Sequence, residues 1–162
     1  MAARDDILVD FTSLKLRRLV ARGATSSVHL GSFKAQAVAI KVCSCASLTR
    51  KTISDYVREA RVLASFNHPN VMKLVGCCIV PPNVWIVTEQ CERGNLVEVL
   101  RGAASPTLTW GRRLYLMLGA ARGLEHIHSF RFIHGDIKPD NFIVTLDWVV
   151  KLADFGEAKE KG

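Results

Sequence analysis

The sequence predicts an α+β fold in which a five-stranded antiparallel sheet with one helix precedes a mainly helical half. Short apolar runs, separated by small or polar turn residues, fill most of the first half. One amphipathic segment with a capping threonine interrupts these runs. A longer segment in the second half carries apolar residues at helical spacing. These three observations favour two small lobes rather than a uniform architecture.

The candidate strands lie at residues 14–20, 27–33, 37–42, 71–79 and 84–88. The links between the first three are so short that only an antiparallel meander can connect them. The last two are separated by Pro81, Pro82 and Asn83, which are typical turn residues. Between the two groups, Thr52 is the expected helix cap, Asp55 favours the positive helix end, and the helix is expected to end near Phe66.

The second half is expected to contain a short helix at 96–100, a loop at 102–106 and a long helix at 109–128. Apolar residues of the long helix recur on one stripe. They are Leu114, Met117, Leu118, Ala121 and Leu124. A polar connector at 89–93 separates the two halves, and a cleft between two lobes is the natural place for a ligand.

Composition excludes several classes of protein. The chain has 162 residues, 49% of them hydrophobic, with 22 Lys plus Arg against 15 Asp plus Glu. These proportions exclude disorder of the whole chain and allow one domain or part of a larger one. No apolar stretch approaches the ~20 residues of a membrane span, so we expect a cytoplasmic protein without a membrane partner.

The cysteines and the basic excess carry weaker information. Five cysteines without paired C-x-x-C spacing are expected to be free and buried rather than zinc ligands. The basic residues are scattered without interleaved aromatics, so no nucleic-acid partner is expected. The excess is better explained by a solvated basic face or by attraction for a polyanionic small molecule such as a nucleotide.

Two features of the first half suggest phosphate binding. The small residues between Val20 and Val28 would let backbone N–H groups approach a phosphate, although such a hairpin can also be an ordinary turn. Strand alternation places Lys41 on the same face as Ala39. Glu59 lies on the apolar stripe of the predicted helix, where a carboxylate needs a cation, and Lys41 is the nearest candidate.

The densest signal is the run from His134 to Asn141, followed by an apolar hairpin and then Asp154-Phe155-Gly156. Pro139 prevents a helix, so the polar residues of the run are expected on a structured loop. The hairpin formed by 142–144 and 149–152 would return Asp154 to the neighbourhood of Asn141. Two carboxylates, an amide and a lysine would then converge, as phosphoryl transfer requires.

These motifs, in this order and at these spacings, resemble those of the eukaryotic protein kinases. The Lys-Pro that follows Asp136 is similar to the dipeptide at this place in serine/threonine kinases. The sequences of residues 11–16 and 109–128 resemble those of the tyrosine-kinase-like group. The resemblance implies a protein-kinase-like fold with a lead-in at 1–10, an N lobe at 11–88, a hinge at 89–93 and the first part of a C lobe at 94–162.

The resemblance also implies a role for each site residue, with ATP and Mg²⁺ as cofactors. Asp136 would be the catalytic base, Lys138 would neutralise the γ-phosphate, and Asn141 and Asp154 would bind Mg²⁺. Lys41 would hold the α- and β-phosphates and pair with Glu59. The remaining nucleotide contacts would come from Val20, Ala21, Gly23, Val28, Ala39, Thr88 as gatekeeper, Glu89, Cys91, Asn95 near the ribose, and Ile143.

Three departures from the family pattern qualify these expectations. Ala21 and Ser26 replace two glycines of the loop, and Gly135 stands where many kinases carry arginine. The chain also stops six residues after Gly156, so the later helices of the C lobe are expected to be missing, and a partner is a candidate to cover the surface they would bury. We therefore expect an ATP-dependent protein serine/threonine kinase with an incomplete, helical C lobe and an unknown protein substrate. The alternative is a non-catalytic nucleotide-binding or interaction module derived from a kinase.

Overall fold

The computed structural model describes residues 7–44, 46, 48–102 and 108–162. The first part of the expected lead-in, Cys45 and residues 103–106 of the expected loop lie outside this range. The chain forms two compact units. The described residues up to Ser65 form the first together with Lys73–Gln90, and Phe66–Met72 form the second together with Cys91–Gly162.

The described residues of the first unit form a five-stranded antiparallel sheet with one helix, as the sequence predicts. Its strands are β1 (Leu14–Arg22), β2 (Ser26–Phe33), β3 (Gln36–Cys43), β4 (Leu74–Val80) and β5 (Asn83–Glu89), in the order β1-β2-β3-β5-β4. Helix α1 (Arg50–Ala64) packs on β4 and β5. The core includes Ile40, Leu63 and Val87, whereas Leu74 is only partly buried.

Helix α1 begins and ends earlier than the sequence suggested. Its N-cap is Thr49, whose hydroxyl accepts a hydrogen bond from the backbone N–H of Thr52 at 3.1 Å. Thr52 therefore lies in the first turn rather than at the cap. The helix ends at Ala64, and Phe66 already belongs to the second unit. Thr49 and Thr52 are both suitable N-cap residues, which explains why the start of the helix was predicted three residues too late.

Strand β4 starts at Leu74, three residues later than predicted. The apolar residues before it form hydrogen bonds in the second unit instead. The backbone N–H of Met72 donates to the carbonyl of Leu152 at 2.9 Å, and that of Leu152 donates to the carbonyl of Asn70 at 2.9 Å. Residues 66–72, expected in the N lobe, therefore pack within the second unit.

A short N-terminal segment lies along β4, which is an edge strand of the sheet. Leu8 forms a parallel bridge with Cys77, and the backbone N–H of Val9 donates to the carbonyl of Cys77 at 2.9 Å. A Cβ atom at Gly76 would lie 2.4 Å from Cγ1 of Val9. The close approach of the two chain segments therefore requires a glycine at this position.

The described part of the second unit contains α2 (Leu96–Arg101), α3 (Trp110–Ser129) and four short strands. The strands are β6 (Phe132–Ile133), β7 (Phe142–Val144), β8 (Val150–Leu152) and β9 (Lys159–Glu160), paired as β6-β9 and β7-β8. Helix α3 packs against β8 and β6. The predicted strands at 142–144 and 149–152 are therefore present, the second one residue shorter.

The buried side of α3 is not the predicted apolar stripe. Three members of the predicted apolar stripe, Leu114, Met117 and Leu118, are exposed by 59%, 66% and 49%. The buried side is formed by other residues, namely Leu116, Gly119, Gly123 and Ile127. The described helices include none that is long and apolar enough to cross a membrane.

The described cysteines are thiols rather than members of disulfide bonds. Cys43, Cys77 and Cys78 are buried in the first unit, as expected for small apolar side chains, and Cys91 is half-buried. Burial raises the pKa of the Cys77 thiol. A protonated, inaccessible thiol of this kind is inert, so it serves packing rather than chemistry.

Replacing Gly123 with alanine should destabilise the protein, although alanine is ordinarily the better helix former. A Cβ atom at this position would lie 2.4 Å from the backbone oxygen of Asn70, so α3 must move. We expect a loss of about 2 kcal/mol in the free energy of unfolding, measured by urea denaturation. The matched control is Gly111→Ala on the same helix, where a Cβ meets nothing closer than 4.0 Å and a gain of up to about 1 kcal/mol is expected. Equal effects of the two substitutions would contradict this account of the packing.

Candidate active site

An ion pair joins β3 to α1 in the first unit. Nζ of Lys41 lies 2.8 Å and 2.9 Å from the two carboxylate oxygens of Glu59. The Glu59 side chain is 9% exposed and that of Lys41 is 25% exposed. A carboxylate that is so deeply buried needs a cationic partner, and the expected one is present.

The sheet and the helix each direct one member of this pair. Along β3, Val38 and Ile40 are fully buried, so Ala39 and Lys41 point to the opposite face. On α1, Tyr56 and Glu59 lie on the buried side, and the Tyr56 ring is 5.8 Å from Nζ of Lys41. Burial raises the pKa of Tyr56 to about 12, which keeps this phenol neutral beside the pair.

The turn between β1 and β2 contains the candidate phosphate loop. Ala21 pairs with Val28, and Val28 in turn pairs with Lys41 on β3. Val20 is 44% exposed, and the backbone N–H of Gly23 donates to the carbonyl of Ser26 at 2.8 Å. A Cβ at Gly23 would meet its nearest atom at 3.5 Å, and its φ is not in the left-handed region. The turn itself therefore does not require a glycine.

The predicted gatekeeper and the residue after it lie at the end of β5. Thr88 pairs with Ala39, and Glu89 pairs with Val38. Oε1 of Glu89 accepts a hydrogen bond from the backbone N–H of Lys73 at 2.8 Å. The backbone N–H of Glu89 in turn donates to the carbonyl of Lys73 at 3.1 Å, so both the carboxylate and the N–H of Glu89 are tied to the backbone of Lys73.

The second unit brings three of the predicted residues together. Nζ of Lys138 lies 2.6 Å from Oδ2 of Asp136. Nδ2 of Asn141 donates to the same carboxylate oxygen at 2.9 Å and to the backbone oxygen of Asp136 at 2.8 Å. The Lys138 and Asn141 hydrogen bonds hold the pKa of Asp136 below its usual 3.8. The carboxylate is therefore anionic, oriented and still partly open to solvent.

The loop between these residues contains a short 3₁₀ turn at Pro139–Asn141. Pro139 does not exclude this turn, because proline fits the first position of a helix. The backbone N–H of Asn141 donates to the carbonyl of Lys138 at 3.0 Å. The turn brings the Asn141 side chain, which is buried, back toward Asp136.

The hairpin places Asp154 next to this loop, as expected. Phe142 of β7 pairs with Leu152 of β8, and the backbone N–H of Ala153 donates to the carbonyl of Asn141 at 2.8 Å. Asp154 follows directly, exposed and with φ of 61°. A non-glycine residue in the left-handed region is uncommon, and aspartate adopts it more readily than most residues.

His134 is a positioning residue that the motif did not identify as part of the site. Its Nδ1 accepts a hydrogen bond from the backbone N–H of Asp136 at 3.3 Å, so Nε2 carries the proton and donates to the carbonyl of Ala153 at 2.9 Å. Burial lowers the pKa of His134. The neutral ring therefore links the segments that carry Asp136 and Asp154. Its burial is the signal, and the sequence alone does not show that.

Cys91, Asn95 and Ile143 are the remaining predicted residues of the second unit. Asn95 is the N-cap of α2, where its Oδ1 accepts from the backbone N–H of Glu98 at 2.9 Å. Asn95 also forms a bridge with Ile143 of β7. The side-chain oxygen expected to lie near a ribose is thus already used by the helix cap.

Gly135 has a φ of 85°, and a Cβ atom there would lie 2.7 Å from the backbone oxygen of Glu157. The glycine is therefore required by the local backbone as well as being a departure from the family pattern. An arginine at this position would need the segment around Glu157 to move.

The donor chemistry of this loop fits a magnesium ion. The two described hydrogen bonds of Asn141 to Asp136 use its nitrogen, which leaves the amide oxygen for a cation. Asp154 supplies a carboxylate. Among the described residues no group of three or more His, Cys, Asp or Glu could hold a metal. Two protein oxygens completed by water and phosphate are typical of Mg²⁺ rather than of zinc.

The carboxyl of Asp136 should titrate below pH 3.8, the usual value for an aspartate. Because the native pKa lies below the unfolded one, its contribution to stability is present above about pH 4 and is lost as the pH falls through the native value. Carbon-detected NMR titration of the side-chain carboxyl measures this. Lys138→Met should move the titration toward the usual value, whereas Lys161→Met should not. A titration midpoint unaffected by Lys138→Met would contradict the assignment.

Glu59→Gln should lower the free energy of unfolding by about 1.5 kcal/mol, because it removes a charged hydrogen-bond acceptor from Lys41. Asp55→Asn is the matched control on the same helix. Its partner Arg58 lies 3.8 Å away and both side chains are about half exposed, so we expect less than about 0.5 kcal/mol. Chemical denaturation measures both, and an equal loss for the two variants would argue against a buried pair.

Comparison with known proteins gives a match to one family and to several individual proteins. The pattern of the family described as protein tyrosine and serine/threonine kinase matches residues 14–161. The probable serine/threonine-protein kinase drkA of Dictyostelium discoideum is 31% identical over 150 residues, 91% of this chain and 23% of its own length. From the same organism, drkD is 36% identical over 155 residues, 94% of this chain and 12% of its length.

The serine/threonine-protein kinase CTR1 of Arabidopsis thaliana is 28% identical over 160 residues, 97% of this chain and 20% of its length. The chain thus spans less than a quarter of the length of these three relatives. The match with the family pattern nevertheless covers almost all of the chain, from β1 to β9. The chain belongs to the protein tyrosine and serine/threonine kinase family.

Proposed function

We propose that the chain carries the nucleotide site and catalytic loop of an ATP-dependent protein serine/threonine kinase. The observation that carries the proposal is the Asp136 carboxylate held by Lys138 and Asn141 at hydrogen-bond distance. Phosphoryl transfer depends mainly on positioning and electrostatics, and this cluster supplies both. The kinase relatives support the same reaction class.

Asp136 is the proposed base that accepts the proton of a serine or threonine hydroxyl. Its low pKa keeps it ionised near neutral pH, so orientation rather than strong basicity is its contribution. Lys138 is partly exposed, with 49% of its side chain accessible, so its ammonium can also face a transferring phosphoryl group. Its charge would offset the negative charge of that group.

Lys41 and Gly23 are the proposed phosphate contacts of the first unit. Glu59 holds the Lys41 ammonium in a fixed place through two hydrogen bonds. Gly23 is not required by the fold of its turn, so close approach of a ligand to the backbone is the reason we propose for it. Val20 and Ala21 beside it would complete the loop.

Mg²⁺, when bound, supplies a positive charge that neutralises phosphate oxygens. The amide oxygen of Asn141 and the carboxylate of Asp154 are the proposed protein ligands. For the adenosine, Val28, Ala39, Thr88, Glu89, Cys91 and Ile143 stay predicted contacts. Among the predicted contacts Asn95 has the least support, because its side-chain oxygen already caps α2.

A second candidate function is a nucleotide-binding or interaction module without phosphoryl transfer. The exposed apolar side of α3, formed by Leu114, Met117 and Leu118, favours it, because such a surface is typical of a protein contact. The protein substrate and a cytoplasmic location likewise stay predictions. Nucleotide binding is compatible with both candidates, and only transfer separates them.

The first test is binding of Mg-ATP to the folded chain, measured by isothermal titration calorimetry. Asp154→Asn should weaken Mg-dependent binding by roughly tenfold, since it removes a charged metal ligand. Asp147→Asn, an exposed residue in the turn of the same hairpin, is the matched control and should bind as the unmodified chain does. Absence of Mg-dependent binding, or equal binding by Asp154→Asn, would refute the nucleotide site.

The second test is transfer of radiolabelled phosphate from ATP to a generic basic protein. The chain is assayed alone and fused to the remaining kinase-domain sequence of a relative, each with and without Asp136→Asn. Transfer that Asp136→Asn abolishes, with Mg-ATP binding retained, supports the kinase. Binding without transfer in either form supports the module instead.

A further inference from the structure

Two histidines outside the proposed catalytic cluster stack on each other in the second unit. The rings of His68 and His126 have centroids 4.7 Å apart and planes inclined by 20°. His68 lies in the segment that comes after α1, and His126 lies near the end of α3. Nε2 of His126 is buried and has no hydrogen-bond partner in the described part of the chain. The stack is therefore a close contact between two titratable rings.

One hydrogen bond of His68 depends on the protonation state of its ring. Its Nδ1 accepts from the backbone N–H of Asn70 at 3.1 Å. The ring must be neutral at Nδ1 for this bond to exist, and the proton then resides on Nε2. A second proton would occupy Nδ1 and face the N–H of Asn70. Protonation of His68 and this hydrogen bond are thus mutually exclusive.

Asn70 connects this turn to the hairpin that bears the proposed site. Its Nδ2 donates to the carbonyl of Val150 at 2.8 Å, and its backbone oxygen accepts from the N–H of Leu152 at 2.9 Å. Met72 adds a further bond to Leu152. The strand held in this way leads within two residues to Asp154. The turn formed by residues 68–72 therefore positions β8 and the segment that leads from it to Asp154.

The charges that face His68 come from α3 and β8. His126, Arg122 and Glu125 belong to α3, and Lys151 belongs to β8. Burial, followed by the effects of His126 and Arg122, lowers the pKa of His68 below its usual 6.5. Only Glu125 among these charges acts in the opposite direction. Because the native pKa is the lower one, the stabilising effect is present above about pH 6.5 and is lost as the pH falls below it.

We propose that the His68–His126 stack is a proton-sensitive lock that fixes β8, and with it the Asn141–Asp154 hairpin, only while His68 is neutral. Acidification breaks the bond to Asn70 and places a cation against a second imidazole. The turn then loosens from β8. The consequence for phosphoryl transfer rests on the proposed function, whereas the loosening itself does not.

The test is hydrogen exchange of single amides by NMR on the whole chain at several pH values from 7.5 down to 5.5. Protection factors, which are corrected for the intrinsic pH dependence of exchange, are compared for Leu152 and Met72. Amides of β3 serve as the reference. Loss of the bond to Asn70 should lower protection of the two amides by roughly threefold to tenfold at the lowest pH, with little change in β3.

Three variants separate the lock from general acid instability. His68→Asn keeps an acceptor for the N–H two residues on but does not titrate, so it should retain protection at all of these pH values. His128→Asn, an exposed histidine on α3, should behave as the unmodified chain does. His126→Phe removes the second titratable ring and should move the loss of protection to higher pH.

The outcomes decide the proposal without an activity assay. Loss of protection in the unmodified chain and in His128→Asn, but not in His68→Asn, supports the lock. Equal loss in His68→Asn, or no loss in the unmodified chain, overturns it. If His68→Asn does not fold, an unchanged midpoint in His126→Phe overturns it instead. None of these results depends on whether the chain transfers phosphate.

Discussion

The side-chain amide of Asn141 is the constraint on which the proposed catalytic loop depends. This amide donates hydrogen bonds to both the backbone oxygen and the carboxylate of Asp136. The backbone oxygen of Asn141 accepts a hydrogen bond from the N–H of Ala153. One buried residue therefore fixes the candidate base and the residue that precedes Asp154. The loop needs no regular secondary structure beyond a single 3₁₀ turn, because these hydrogen bonds provide partners for its polar groups.

The two units organise charge in different ways. In the first, a two-residue alternation along β3 and one face of α1 direct Lys41 and Glu59 toward each other, so regular elements do the positioning. In the second, the polar residues lie on a loop, and hydrogen bonds from His134 and Asn141 hold it. Loops held by a rigid surround are common places for catalytic residues. The surround here is the β7-β8 hairpin together with α2, which packs on the 3₁₀ turn of the loop.

Local patterns predicted much of this from the sequence. The five strands, the single helix of the first unit and the Lys41–Glu59 pair follow from alternation, turn residues and helical spacing, and all are present. The residues before β4 were misassigned, because Val71 and Met72 are as apolar as a strand. The backbone N–H of Met72 instead donates to Leu152, which is 80 residues away, and that of Val71 donates to His68. Sequence separation of that kind leaves no local signal.

The buried side of α3 was missed for a different reason. Apolar periodicity identifies large side chains, and here the large ones at Leu114, Met117 and Leu118 are exposed. The contact with Asn70 is made by Gly119 and Gly123, whose lack of a side chain is the structural feature. A hydrophobic pattern assigns little weight to a glycine, so close backbone packing cannot be read from it. The burial of His134 and Asn70 was not predicted either, since a buried polar residue looks like a loop residue in the sequence.

The segment along β4 bears on how this protein should be produced. The family match begins at residue 14, and a boundary drawn there or at Phe11 would remove residues 7–10. The backbone of β4 would then lose the bridge at Cys77, and the space above Gly76 now filled by Val9 would open. A bare apolar edge strand is a template for intermolecular pairing. Recombinant versions that keep residues 7–10 should therefore stay monodisperse at concentrations where shortened ones precipitate.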